Sequence, residues 1–99
     1  MSIDNVPQSV NELGKYFTGL QEIVTKTIDQ GTEQAQQDLI EEIESKINQI
    51  DRLEQYIQYY QDSNELNDEQ EFELGAYQYN CRNFRNFSND FIYSIRIKM

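Results

Sequence analysis

The stretch from Glu33 to Gln61 reads EQAQQDLIEEIESKINQIDRLEQYIQYYQ and contains neither Gly nor Pro. Its apolar positions Ile40, Ile43, Ile47, Ile50, Leu53, Ile57 and Tyr60 step by three and four, with Leu39 and Tyr56 beside them. Side chains at that step stack along one side of an α-helix. The residues between them are largely Glu, Gln, Lys and Arg, which lose little rotamer freedom on entering a helix. The spacing predicts a helix over residues 33–61, about 45 Å long at roughly 1.5 Å per residue. The stripe lies close to a heptad repeat, so it suits packing against other helices.

Punctuation on either side bounds this rod. Upstream, Gly31 is a natural stop for a preceding helix and Thr32 an acceptable N-cap for the rod itself. The preceding helix is predicted over about 10–30, with Val10, Leu13, Phe17, Leu20 and Val24 on one face and Ile23 and Ile28 widening it. Ser9 and Glu12 have the spacing of a capping box, and Pro7 sits just upstream. Gly14 and Gly19 each cost about 1 kcal/mol relative to Ala. Downstream, Asn67 and Gln70 form a second capping-box pattern, and a third helix is predicted over about 68–95. Leu74, Tyr77, Cys81, Phe84, Ser88, Phe91 and Ile95 give its stripe, flanked by Phe72, Phe87 and Ile92. Asp68, Glu69 and Glu71 suit the positive end of its dipole, and Arg96 and Lys98 the negative end. Residues 91–99 read as helical or frayed, although Ile95 to Met99 also alternate as a strand would. The echo between Glu12-Leu13-Gly14-Lys15-Tyr16 and Glu73-Leu74-Gly75-Ala76-Tyr77 places a Gly beside a core Leu in each outer helix. That pairing suggests close approach of the first and third helices.

Three amphipathic helices with short connections bury their stripes against one another. The expected fold is all-α: an antiparallel three-helix bundle with a long central helix, residues 1–99 forming a single helical domain. The alternative is a hairpin of the second and third helices that dimerises into a four-helix bundle.

Charge is distributed unevenly. The net charge is −10, composed of −13 over residues 1–75 and +3 over residues 76–99. Nucleic-acid affinity comes from Lys and Arg displacing counterions, so the acidic part is unsuited to direct nucleic-acid binding or to an anionic membrane. A dense negative surface instead steers basic partners toward itself. No apolar run is long enough to span a bilayer. Met1-Ser2-Ile3-Asp4-Asn5 lacks the basic start of a leader, and one cysteine permits no intrachain disulfide. These features favour a cytoplasmic protein.

The residues offer little for catalysis. The chain has no histidine, which removes the commonest general base near neutral pH and the commonest transition-metal ligand. Cys81 falls on an apolar stripe, where a thiol is inert packing. Glu41, Glu42 and Glu44 lack the His partners of a di-iron site. The run from Asn64 to Glu71 lacks the alternating ligands and central Gly of a calcium loop. There is no phosphate-cradling loop and no nucleophile elbow. The Trp-x-Gly turn of small secreted helical-hairpin proteins is also absent, because the chain has no Trp. The reading is a non-enzyme with no catalytic residues, no metal and no cofactor.

Two features point to binding. Asp38, Glu41, Glu42, Glu44, Asp51, Glu54, Asp62, Glu65, Asp68, Glu69, Glu71 and Glu73 are expected to face outward as an acidic surface. Tyr56, Tyr59 and Tyr60 end the second helix near Tyr77 and Tyr79 of the third, and tyrosines are enriched in interfaces. Together they suggest an acidic binding protein that inhibits or sequesters a basic protein partner. A nucleic-acid-binding enzyme is one such partner, approached by imitating a nucleic acid's phosphates as phage-type inhibitors do. The alternative expectation is a self-assembling coiled-coil adaptor or structural protein whose acidic face serves only solubility. In that reading a homodimer would place the basic tail, Arg82, Arg85, Arg96 and Lys98, against a second subunit's acidic face.

Overall fold

A computed structural model describes residues 3–99. Met1 and Ser2, part of the N-terminal stretch read above for a leader, lie outside the described residues. A short 3-10 turn, Ile3–Asn5, leads into three helices: α1 (Val6–Gln30), α2 (Glu33–Ser63) and α3 (Asp68–Arg96). Among the described residues there is no strand. The helices pack side by side into a rod with principal extents of 50 × 19 × 18 Å. Consecutive helices run antiparallel, as the short connections at residues 31–32 and 64–67 require. Among the described residues, no helix is long and apolar enough to cross a membrane.

Two of the three helix starts follow the predicted chemistry. The Thr32 side chain accepts the Ala35 N–H at 3.1 Å. Asn67 accepts the Gln70 N–H at 2.8 Å while the Gln70 side chain accepts the Asn67 N–H at 3.1 Å. Two donors of that helix start are thus satisfied. The third start is different. α1 begins at Val6 rather than near Val10, and Pro7 occupies its first turn. A proline's fixed φ suits that position and its missing N–H costs nothing there. Ser9 consequently lies inside the helix, and the Ser9–Glu12 capping box does not form; Asn5 is the N-cap and makes no side-chain bond. Gly31 ends α1 in extended conformation, its N–H donating to Thr27 O at 2.9 Å.

The core is the expected set of stripes. Val6, Val10, Leu13, Phe17, Leu20 and Val24 from α1 meet Leu39, Ile40, Ile43, Ile50, Leu53 and Ile57 from α2, and Leu74, Cys81, Ile92 and Ile95 from α3. Phe17 of α1 stacks on Phe84 of α3 with ring centroids 5.2 Å apart. Two expectations need correction. Ile23, Phe72 and Phe87, read as widening or flanking the stripes, are exposed, because three thin helices enclose only a narrow seam. A Cβ on Gly14 would stand 3.9 Å from Phe84, an ordinary contact, and one on Gly75 would meet nothing within 4 Å. The glycines therefore do not serve a close approach of α1 and α3. The tail resolves as helix through Arg96 followed by a turn, since no strand lies beside it.

Candidate functional site

The acidic residues singled out by the sequence do not share one environment. Asp51 and Glu54 lie along the α2–α3 seam, half-buried, and both bind Arg85. Its Nε and Nη2 donate to Asp51 Oδ1 at 3.1 and 2.7 Å, and its Nη2 also donates to Glu54 Oε2. These two carboxylates, with hydrogen bonds to Glu54 foremost, raise the Arg85 pKa further. About two helical turns of α3 away, the amides of Gln58, Gln61 and Gln78 continue the seam, with Gln78 Nε2 donating to Gln61 Oε1 at 3.0 Å. Nearer the other end, Arg96 Nη2 donates to Glu44 at 3.3 Å. Of the four bases of the tail, Arg85 and Arg96 thus meet α2 of their own chain. The reason is register: antiparallel α2 and α3 bring the basic second half of α3 alongside the middle of α2, from Glu44 to Glu54.

The remaining carboxylates fall into two groups. Asp38, Glu41 and Glu42 are exposed near the start of α2. Asp62, Glu65, Asp68, Glu69, Glu71 and Glu73 are exposed at the turn between α2 and α3 and the first turns of α3. Twenty residues of helix separate Glu42 from Asp62, about 30 Å along the axis. The turn is the denser group. Residues 53–81 fold back on themselves to build one end of the bundle, and they contain no Lys or Arg.

The tyrosines divide as well. Tyr56 and Tyr60 are half-buried against the core. Tyr59, one step around the helix, is 70% exposed, and it lies three residues from Asp62 on the same side of α2. Tyr77 is half-buried, and its hydroxyl donates to Glu73 at 2.9 Å. Burial, then that bond and the Glu73 charge, raise its pKa. Tyr79 is exposed on the far side of α3. The candidate surface is therefore the acidic turn with Tyr59 at its edge, and Tyr56, Tyr60 and Tyr77 support it from beneath.

Other chemistry-bearing groups lie apart from this surface. The Cys81 thiol is fully buried, and burial, reinforced by Glu54, pushes its pKa up to about 11. Among the described residues, no group of three or more His, Cys, Asp or Glu side chains could hold a metal ion. The sequence reading missed the Arg85–Asp51–Glu54 cluster. Arg85 is 31 to 34 positions from its partners and shares no local motif with them, although the change of charge sign after residue 75 was a signal.

An acidic three-helix bundle with an exposed carboxylate turn is the class that fold and surface define. No family model matches the chain, and neither a curated protein nor a solved structure matches it.

Proposed function

We propose that this chain is a non-enzymatic binding protein that docks a basic protein partner with the acidic turn between α2 and α3. The observation that carries the reading is the end of the bundle built from residues 53–81. Its six exposed carboxylates stand on two helix ends and one short turn, with no Lys or Arg among them. Like charges held close on a rigid frame cost folding free energy and strengthen the field outside. Tyr59 supplies an aromatic group at the edge of that field that a partner can desolvate. Asp38, Glu41 and Glu42 extend the attraction toward the other end of α2, whereas Asp51 and Glu54 share one arginine and Glu44 meets another. Nucleic-acid-binding proteins present basic grooves of the required sign, and occupying such a groove would inhibit them.

The test is capture on the immobilised chain from a lysate of the organism that encodes it, eluted by rising salt. A basic protein should be retained at low salt and released as screening shortens the reach of the field. A variant carrying Glu65→Lys, Glu69→Lys and Tyr59→Ala should lose that protein while keeping its helical content. Capture unchanged by those three substitutions, or indifferent to salt, would overturn the proposal.

A further inference from the structure

Helix α3 carries a second stripe on the side turned away from the core. Phe72, Tyr79, Asn86 and Tyr93 recur every seven residues, and Ala76, Asn83, Asp90 and Ile97 follow them at steps of four. Alternating steps of four and three over successive heptads are the d and a positions of a coiled-coil seam. On a straight helix the stripe drifts by only about 20° per heptad, which gentle supercoiling removes. Phe72, Tyr79, Tyr93 and Ile97 are 81%, 61%, 67% and 60% exposed. Neither α1 nor α2 covers them, and Phe87 stands exposed beside the same stripe. Large apolar side chains in register along one solvent face, about 38 Å from Phe72 to Ile97, need a partner surface.

We infer that the chain forms a two-fold symmetric dimer through this face, the two α3 helices packed antiparallel. Charge selects the orientation. The first six residues of α3, Asp68 to Glu73, hold four acids, and the segment from Arg82 onward holds four bases and one acid, Arg85 and Arg96 among those bases also holding carboxylates of α2. Parallel pairing would set acid on acid between chains that each carry −10. Antiparallel pairing sets the acidic start of each α3 beside the basic end of the other.

Side-chain size and polarity agree with that orientation. Centred between Phe84 and Arg85, the pairing opposes Phe72 to Ile97 and Ala76 to Tyr93, the smallest seam residue meeting an aromatic ring. It opposes Tyr79 to Asp90, where a phenol O–H can donate to a carboxylate. At the two-fold axis Asn83 meets Asn86, and paired amides inside a seam fix register. Five apolar side chains, each exposing on the order of 100 Å² or more, bring the total for two chains to at least the ~1,000 Å² that a specific interface needs. The dimer leaves Tyr59, Asp62 and Glu65 uncovered but sets Asp68 to Glu73 beside the second copy's tail, so it shares part of the surface proposed above; sedimentation of the chain alone tests the dimer, and salt-eluted capture tests the basic partner.

Sedimentation equilibrium at near-physiological salt reads the inference directly. At ~10–100 μM, the range in which a modest helical seam associates, the expected mass is twice the chain's 11.8 kDa. The pair Tyr79→Glu and Tyr93→Glu alters exposed positions only. It should leave helical content and melting of the monomer intact and weaken the dimer at least about tenfold. For orientation, a chain with Ala76→Cys is mixed with one carrying Tyr93→Cys under mild oxidation, native Cys81 being buried. Disulfides should join the two different chains. A strict monomer throughout that range, a dimer indifferent to the two glutamates, or Ala76→Cys cross-linking with itself as readily as with Tyr93→Cys would each overturn the inference.

Discussion

Arg85 grips Asp51 through two nitrogens, Nε at 3.1 Å and Nη2 at 2.7 Å, and with the second it also holds Glu54. This fork ties α3 to α2 near the middle of the rod and converts two of the expected docking carboxylates into internal partners. A planar guanidinium suits such sharing, and a lysine would supply only a point charge.

Arg85→Gln should lower stability by roughly 0.5–1.5 kcal/mol, the modest value reflecting side chains that remain about a third to nearly half exposed. A double-mutant cycle in urea with Asp51→Asn isolates the interaction. Fully additive losses in that cycle would mean that the fork contributes nothing. The Gln variant should also bind a basic partner faster, since it frees two carboxylates.

Ile50 is 0% exposed at the centre of α2, against both other helices' stripes. Ile50→Asp buries a carboxylate with no base beside it, at a cost of several kcal/mol. The whole fold has only about 5–15 kcal/mol to lose. The variant should be largely unfolded by circular dichroism at 25 °C, and Ile50→Ala should be folded but weaker by about 2–5 kcal/mol. An Asp variant that melts near the parent temperature would show that the seam is not the core.

Two glycines should respond in opposite directions. A Cβ on Gly31 would lie 2.5 Å from the Thr27 carbonyl oxygen, which is backbone and can yield only by distorting the end of α1. Gly31→Ala should therefore destabilise by about 1–3 kcal/mol. A Cβ on Gly19 would meet nothing within 4 Å, and the residue sits mid-helix, so Gly19→Ala should stabilise by roughly 0.5–1 kcal/mol. Thermal melts of both variants check the contrast.

Tyr16 holds a buried hydroxyl with no hydrogen-bond partner among the described residues, while Lys46 lies 4.8 Å from the centre of its ring. Tyr16→Phe keeps the ring and removes the orphaned group, so stability at neutral pH should stay level or rise by up to about 1 kcal/mol. The same change should alter the alkaline limb. Burial, then the Glu42 charge, raises the Tyr16 pKa from 10.0 to about 12, and Cys81 is raised from 9.0 to about 11. Both groups are neutral when protonated and stay so longer in the folded chain. Their contributions are complete below the unfolded values and vanish as pH climbs through the folded ones. Stability should hold to about pH 9 and fall between pH 9 and 12. Tyr16→Phe should flatten that fall above pH 10, and urea midpoints measured across the range would reveal a curve unchanged by the substitution.

Local periodicity and capping chemistry were enough to specify three helices, their order and most of their inward faces. Ile40 to Ile57 and Leu13 to Val24 are buried where the three-four step placed them, because that step is a property of the single helix and needs no neighbour. The Asn67–Gln70 cap was equally legible, since its partners lie within one turn. Tertiary structure alone decided which polar groups remain available. Whether Asp51 faces solvent or Arg85 depends on the register of two antiparallel helices, and register is a long-range sum of packing that no local window contains. The same holds for Phe72 and Tyr79: the sequence showed a residue flanking the stripe and an aromatic near the second helix's end, and only the way three rods close on one narrow seam left them outside.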